Sequence, residues 1–398
     1  MASTREEKDS SFLLLLLINS FVYIPQALFI PYLNPWFEAH GADMTQIGIL
    51  SVFSPIASVL IQPLWARMSD KSGKAKKYAA IVAFGASLAL CTYYINMSIV
   101  NFYIASILLA LFTPAIIPLI DAIVIRSADR QLMNFAWIRM GGSLGYMVVV
   151  VIAGQYLKHH PDHLFALGAG GYFILFLLLL MLPARENRIP TAASRQLSFK
   201  GIRKTMAEIF TDKTIYLVLF FAFVFQIGYC FFYTFFGVFF SQQGYSQGQL
   251  GIMSCISAFS EAPILLLIRK LEKRFKPLTL LAGATVLIGV RLLLTSTGLY
   301  PVFIIVECMQ GMTSMVVYYS CATFIASHVL KGKSSEGQAV LYMVQAGFAS
   351  MIGSVIGGRL SDLAGIRPAF IIMGLVTIVL SSVTYIVITI YAKRKGNN

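Results

Sequence analysis

The chain has 398 residues, of which 58% are apolar and 12% charged, with a formal net charge of +14. That apolar share, with a mean hydropathy of +0.76, excludes a soluble domain and leaves lipid as the surroundings in which helices satisfy their own backbone groups. The positive excess does not call for nucleic acid, because Lys and Arg beside anionic lipid account for it.

Long apolar runs predict twelve membrane-spanning helices, near 12–34, 47–68, 78–97, 100–125, 133–157, 164–183, 214–240, 247–270, 277–296, 300–326, 336–359 and 366–391. Each has about 20 residues, enough to cross roughly 30 Å of hydrocarbon. Connections on alternate sides hold about 26 of the 31 Lys and Arg residues, the asymmetry that sets orientation. Both termini are therefore expected in the cytoplasm of a multi-pass protein of the inner or plasma membrane. The opposite face holds Lys158, Arg359 and Arg367.

The first run follows Arg5 and Lys8 and continues through Pro25, Pro31 and Tyr32. It lacks a small-residue cleavage site and reads as a retained span rather than a signal peptide. Between the second and third spans runs Ala66-Arg-Met-Ser-Asp70-Lys-Ser-Gly73-Lys74-Ala-Lys76-Lys77. Gly73 can take a positive φ in a tight turn, Asp70 can accept from a helix N-terminus or an Arg, and the lysines face the cytoplasm. A solvated turn is the plainer alternative. Asn96-Met97-Ser98 matches a glycosylation sequon but lies against the membrane. The fifth span carries Gly141-x-x-x-Gly145 and the eleventh Gly353-x-x-x-Gly357, spacings that let helices approach closely. His159, His160 and His163 cluster in an outer turn that is more readily solvated than metal-binding.

The longest connection, 184–213, is basic, with Arg185, Arg188, Arg195, Lys200, Arg203, Lys204 and Lys213. It divides the chain into a six-helix bundle over 1–183, a cytoplasmic linker and a second six-helix bundle over 214–398. Paired halves of this kind are the architecture of secondary transporters. The five cysteines, Cys91, Cys230, Cys255, Cys308 and Cys321, fall inside spans with neither a disulfide framework nor a metal-ligand spacing. There is no phosphate-binding loop, HExxH or nucleophile elbow, so neither an enzyme nor a cofactor or metal is expected.

Five ionisable residues lie within spans: Asp121, Arg139, Glu261, Arg291 and Glu307. A charge at mid-bilayer costs about 2.5–3.5 kcal/mol on insertion scales, so each is expected to meet a partner or a cavity. Depth along the spans lets Asp121 reach Arg139, and Arg291 reach Glu307, with Glu261 somewhat deeper. Arg139 offers a fork to a carboxylate or to adjacent hydroxyls, with Asp121 its partner when no solute is bound. Glu261, Arg291 and Glu307 form a second network in which a buried carboxylate can take up a proton. Structural ion pairing that fixes helix register is the competing reading of all five. Asn19, Tyr23 and Gln26 of the first span, Gln226 and Tyr229 of the seventh and Gln345 of the eleventh add a candidate polar lining. The seventh span is strongly aromatic from Phe221 to Phe236, which suits packing or lipid more often than a ligand.

The loop ending in Lys77 resembles the loop signature of the major facilitator superfamily, with Ala66 in place of its first glycine. Pro31-Tyr32-Leu33, Gln46-Ile47-Gly48-Ile49-Leu50, Pro63-Leu64-Trp65, Pro118-Leu119-Ile120-Asp121-Ala122, Arg139-x-Gly-Gly142-Ser143-Leu144-Gly145-Tyr146, Ser260-Glu261-Ala262-Pro263 and Gly357-Gly358-x-Leu360-x-Asp362 resemble the phenylpropionate permease-like branch. That branch is related to lactose permease and nucleoside–proton symporters. The resemblance implies an all-α fold of two six-helix bundles and a gating role for Asp70, Gly73 and Lys74. It also implies solute contact by Arg139, and proton coupling around Arg291, Glu261 and the tenth span. Where the branch usually has His, this chain has Gln310, with Glu307 one turn away. Gln310 cannot titrate, so coupling either moves to Glu307 or runs through Glu261 alone. A second match, Gly358-x-x-x-Asp362-x-x-Gly365-x-Arg367, falls on the outer side and reads as a turn that reuses the same chemistry.

These features together predict a proton-coupled symporter of a small organic solute such as a sugar, nucleoside or aromatic acid, working by alternating access. Proton-driven efflux of drugs or metabolites is the nearest alternative. A receptor or sensor of the same fold is the other, although it would be expected to lose the buried charges. Members of the superfamily usually act as monomers.

Overall fold

The structure, a computed structural model, describes residues 2–130, 132–183, 213–328 and 334–396. The linker residues Arg185, Arg188, Arg195, Lys200, Arg203 and Lys204 lie outside the described residues. Helix α1, Ala2–Ala39, runs unbroken through Pro25, Pro31 and Pro35. It extends beyond the 12–34 span expected at both ends, and it continues through its prolines because proline is tolerated in spanning helices whose neighbours re-satisfy the freed carbonyls. α2, Met44–Leu60, and α3, Gln62–Ser72, form one span interrupted at Ile61, where Pro63 in the first turn of α3 brings no donor. α3 stops at Gly73, whose φ of 68° is the left-handed conformation anticipated for that loop.

α4, Ala75–Cys91, has only 17 residues and rises about 26 Å. A tight 3₁₀ turn at Thr92–Tyr94 follows it, where the apolar pattern had suggested helix to residue 97. α5 is Ile99–Arg130, α6 Phe135–Leu157 and α7 Leu164–Met181. Asn134 caps α6, accepting from the Ala136 amide at 2.9 Å.

The second half runs α8, Lys213–Gln242; α9, Gln247–Arg274; and α10, Pro277–Thr295. α11, Tyr300–Cys308, passes through a π-helical turn at Gly311–Met315 into α12, Val316–His328. α13, Ser334–Tyr342, leads through π-helical stretches at Met343–Ala349 and Ile352–Ile356 into α14, Gly357–Ala364. α15 is Ile366–Gly396. Among the described residues, 11 helices are long and apolar enough to cross a membrane, and α4 is the short twelfth.

The chain packs as two units. The first holds α1, the chain from Phe53 through α7, and Tyr245–Cys255; the second holds Asp43–Val52, α8, and the chain from Ile256 onward. In the first, α1 packs on α6 and α7, and α4 on α5 and α7. Its core is aromatic at one end: Trp36 meets Phe165 edge-on at 4.7 Å, and Tyr93 stacks on Phe165 at 4.1 Å. In the second, α10 packs on α8 and α15. Phe221, Phe225, Phe231, Phe232, Phe235 and Phe236 of α8 are all buried, so its aromatic stripe is mostly core. All five cysteines are free thiols. Among the described residues, no His, Cys, Asp and Glu group can hold a metal. In the turn between α6 and α7 His160 stacks on His163, and the Tyr156 hydroxyl meets His163 Nδ1 at 2.7 Å.

Candidate functional site

In the second unit a polar network grows from α10. Arg291 shares the buried face of that helix with Ile288, Leu292 and Thr295 and is 0% exposed. A charge so buried needs partners for its donors. Its Nη2 donates to Glu307 Oε2 of α11 at 2.9 Å, and its Nη1 donates to Gln310 Oε1. Its Cζ lies 3.9 Å from the centre of the Phe232 ring of α8, a cation–π contact that covers one face of the guanidinium.

Gln310 is the junction. Its amide nitrogen donates to Glu261 Oε1 of α9 at 3.3 Å, to Ser314 Oγ at 3.1 Å and to the Tyr229 hydroxyl of α8 at 3.2 Å. The amide orientation follows from its neighbours, oxygen toward the cation and nitrogen toward the anion. Ser314 also donates to Glu261 at 3.4 Å. Beside this lies the π-helical turn, the wide turn that recurs at functional sites. Gly311 at its start accommodates α9: an added Cβ would stand 3.0 Å from Glu261 Cα. The Gly311 amide donates to Ser260 Oγ at 3.0 Å.

In the first unit a smaller cluster joins α1, α5 and α6. Asn19 is fully buried and donates to Asp121 Oδ1 at 3.3 Å. The Arg139 guanidinium carbon lies 4.3 Å from the centre of the Tyr23 ring. Among the described residues Asp121 and Arg139, expected to pair, make no direct ion pair; the guanidinium lies near enough to act on the carboxylate through space, whose hydrogen-bond partner is Asn19. Three buried polar atoms here, Asn19 Oδ1, the Tyr23 hydroxyl oxygen and Arg139 Nη1, have no hydrogen-bond partner among the described residues. Gly141 and Gly142 make this joint close: a Cβ on Gly142 would stand 2.7 Å from the Tyr23 ring and 2.9 Å from Asn19 Oδ1.

The remaining candidates are not brought into these clusters. Gln26 donates to the Val22 carbonyl of its own helix at 3.2 Å. Gln226 donates to Ser350 at 3.2 Å, and Gln345 lies in the first π-helical stretch after α13. Asp70 sits in the last turns of α3, beside Gly73 and Lys74 in the turn between α3 and α4.

The structure gives Asp362, read from the sequence as part of a turn, specific partners, and it adds residues that sequence reasoning passed over. Asp362 of α14 accepts from the Met44 and Thr45 amides at 3.0 and 2.8 Å, and from the Thr45 hydroxyl. It thereby satisfies free donors in the first turn of α2. Asp43 and Gln46 close a reciprocal capping box at the same helix start, with bonds of 2.7 and 3.0 Å. Ser246 and Gln249 repeat it at α9, with bonds of 2.9 and 3.3 Å. The spacing of each box was visible in the sequence as a polar residue followed three places later by Gln.

A model of the MFS_1-like family matches residues 16–372. The chain belongs to that family. It is therefore a multi-pass membrane transporter of the major facilitator superfamily and not an enzyme. The transporter is 23% identical over 364 residues to one described as the uncharacterized transporter YwbF of Bacillus subtilis (strain 168), covering 90% of this chain and 88% of that one. It is 24% identical over 354 residues to the maltose permease of Geobacillus stearothermophilus, covering 88% and 86%. Its fold is that of the nucleoside transporter NupG, solved as a point mutant, with a TM-score of 0.83 at 18% identity, covering 94% of this chain and 99% of that one.

Proposed function

We propose that the transporter carries a small polar organic solute in symport with protons by alternating access, in a cell membrane with both termini cytoplasmic, as a monomer. The observation that carries this reading is the Gln310 amide joining Arg291 to Glu261. Glu307 has a guanidinium as its direct partner, whereas Glu261 is held through neutral donors. Glu261 is therefore the proton-carrying group. Its protonation adds a donor where the two amide protons of Gln310 face three acceptors. Glu307 and Arg291 hold Gln310 in register.

The first-unit cluster supplies solute contact. Among the described residues, Arg139, Asn19 and Tyr23 each keep a buried polar atom without a hydrogen-bond partner, an arrangement that is costly unless a ligand fills it. Hydroxyl-bearing solutes suit this set, and maltose and nucleosides, carried by the relatives named above, are of that class. Gln26, Gln226, Tyr229 and Gln345 are secondary lining candidates, and Asp70, Gly73 and Lys74 form the gating turn. The basic linker over 184–213 joins the two six-helix halves.

Uptake into right-side-out and everted vesicles under an imposed pH gradient tests the proposal, with sugars, nucleosides and aromatic acids as the panel. Accumulation is expected to collapse with a protonophore. Glu261→Gln is expected to keep solute exchange and lose uphill accumulation. Normal accumulation by that variant would remove the proton assignment. Accumulation only in everted vesicles would favour efflux.

A further inference from the structure

The cluster of the first unit holds an anion of its own. Asn19 and Tyr23 lie one turn apart on α1, and Arg139 and Gly142 one turn apart on α6, so each pair shares a helix face. Gly142 lets the two faces meet, with the Tyr23 ring and Asn19 Oδ1 at 2.7 and 2.9 Å from where its Cβ would stand. The Arg139 guanidinium lies over the same Tyr23 ring. Asp121 enters from α5. Its carboxylate accepts from the Asn19 amide nitrogen at 3.3 Å and feels the guanidinium through space. The positive charge of Arg139 is thus already answered from within the cluster.

The three buried atoms that lack a hydrogen-bond partner among the described residues have unlike needs. Arg139 Nη1 only donates, Asn19 Oδ1 only accepts, and the Tyr23 hydroxyl does either. A solute carboxylate only accepts. It could serve Arg139 and Tyr23, but it would set a second acceptor against Asn19 Oδ1 and a second negative charge beside Asp121. A solute hydroxyl accepts and donates at once, and two adjacent hydroxyls serve all three atoms. A site built from hydrogen-bonding groups rejects a solute that leaves them unpaired far more strongly than it rejects a small misfit of shape.

We propose that Asp121 is the specificity-determining residue that closes the transporter to anionic solutes and reserves it for neutral ones with adjacent hydroxyls. This rests on the solute role given above to Arg139, Asn19 and Tyr23. Asp121 acts twice. Its charge repels an incoming carboxylate, a repulsive element of the kind that specificity requires. Its acceptor oxygen also fixes the Asn19 amide, nitrogen toward Asp121 and oxygen toward the solute. Aromatic acids therefore fall outside the range of solutes, while sugars and nucleosides stay within it.

Counterflow in proteoliposomes tests this with matched probes, because exchange needs no pH gradient. The probes are methyl glucoside with methyl glucuronide, and uridine with uridine 5′-carboxylate. Each pair keeps its adjacent hydroxyls and differs by one carboxylate. Wild type is expected to exchange the neutral member of at least one pair about tenfold faster than its acid, or better. Asp121→Asn keeps an acceptor for Asn19 and loses the charge, and is expected to bring the two members near parity. Asp121→Glu is expected to keep the preference. Thermal unfolding in detergent checks folding, and Asp121→Ser replaces the Asn variant if that one is not folded. Equal exchange of neutral and acid members by wild type, or an unchanged ratio in a folded uncharged variant, would overturn the proposal and leave the solute site standing. Exchange of no probe by wild type, or neutral exchange untouched by Arg139→Lys, would overturn the solute site itself and this proposal with it.

Discussion

The carboxamide of Gln310 stands between Arg291 and Glu261, accepting from the guanidinium through its oxygen and donating to the carboxylate at 3.3 Å through its nitrogen. A fully buried charge and a half-buried one, on different helices, thus share one neutral residue. A change at any of the three reorders the other two.

Gln310→Leu therefore leaves one Arg291 donor and the Glu261 carboxylate short of a partner. Each unsatisfied buried group costs about 1–3 kcal/mol. The expected outcome is a lower melting temperature in detergent together with loss of proton-driven uptake. A variant of wild-type stability would mean that other groups take over the bonds.

The Arg291–Glu307 pair makes a separate prediction. Glu307→Leu strands a fully buried guanidinium and is expected to destabilise by about 3–5 kcal/mol. The double variant Arg291→Leu, Glu307→Leu removes both charges and is expected to regain most of that loss. Chemical denaturation of the three variants measures the coupling. Simple additivity would show that the ion pair has little energetic weight.

Asp362 is expected to govern only the first donors of α2. In Asp362→Ala the amides of Met44 and Thr45 should exchange with solvent faster, by the factor of about five that corresponds to about 1 kcal/mol. The Gln46 amide, bonded to Asp43, should keep its protection. Equal acceleration at all three would mean that the whole helix start had loosened.

Arg139→Lys replaces a fork by a point charge and loses the planar contact with Tyr23. Solute affinity is expected to fall about tenfold, equivalent to about 1.4 kcal/mol, with expression and stability near wild type. Equilibrium binding or counterflow in proteoliposomes reads the change. Unchanged affinity would take Arg139 out of the solute site.

What the sequence made legible was depth. Counting residues along apolar runs located the spans and put Arg291 level with Glu307, and these two do bond. Depth says nothing about which way a side chain turns around its helix axis. Asp121 and Arg139 were level as well, yet the carboxylate bonds Asn19 and the guanidinium lies over the Tyr23 ring. Gln310 was read as the loss of a titrating group, because its type suggested what it could not do rather than what an amide can join. Asp362 and Thr45 lie 317 residues apart, and no local pattern relates them. α4 ended early because Thr92–Tyr94 tightened into a 3₁₀ turn, which hydropathy does not register.

The π-helical turn at Gly311–Met315 accommodates one more residue than an ordinary lap of helix. Every side chain beyond it is rotated relative to the count that precedes it, so the faces of α11 and α12 follow two different registers. Aligning this stretch to a relative with an uninterrupted helix demands a one-position gap at Gly311. Without it, each equivalence drawn from Val316 onward is displaced by one residue.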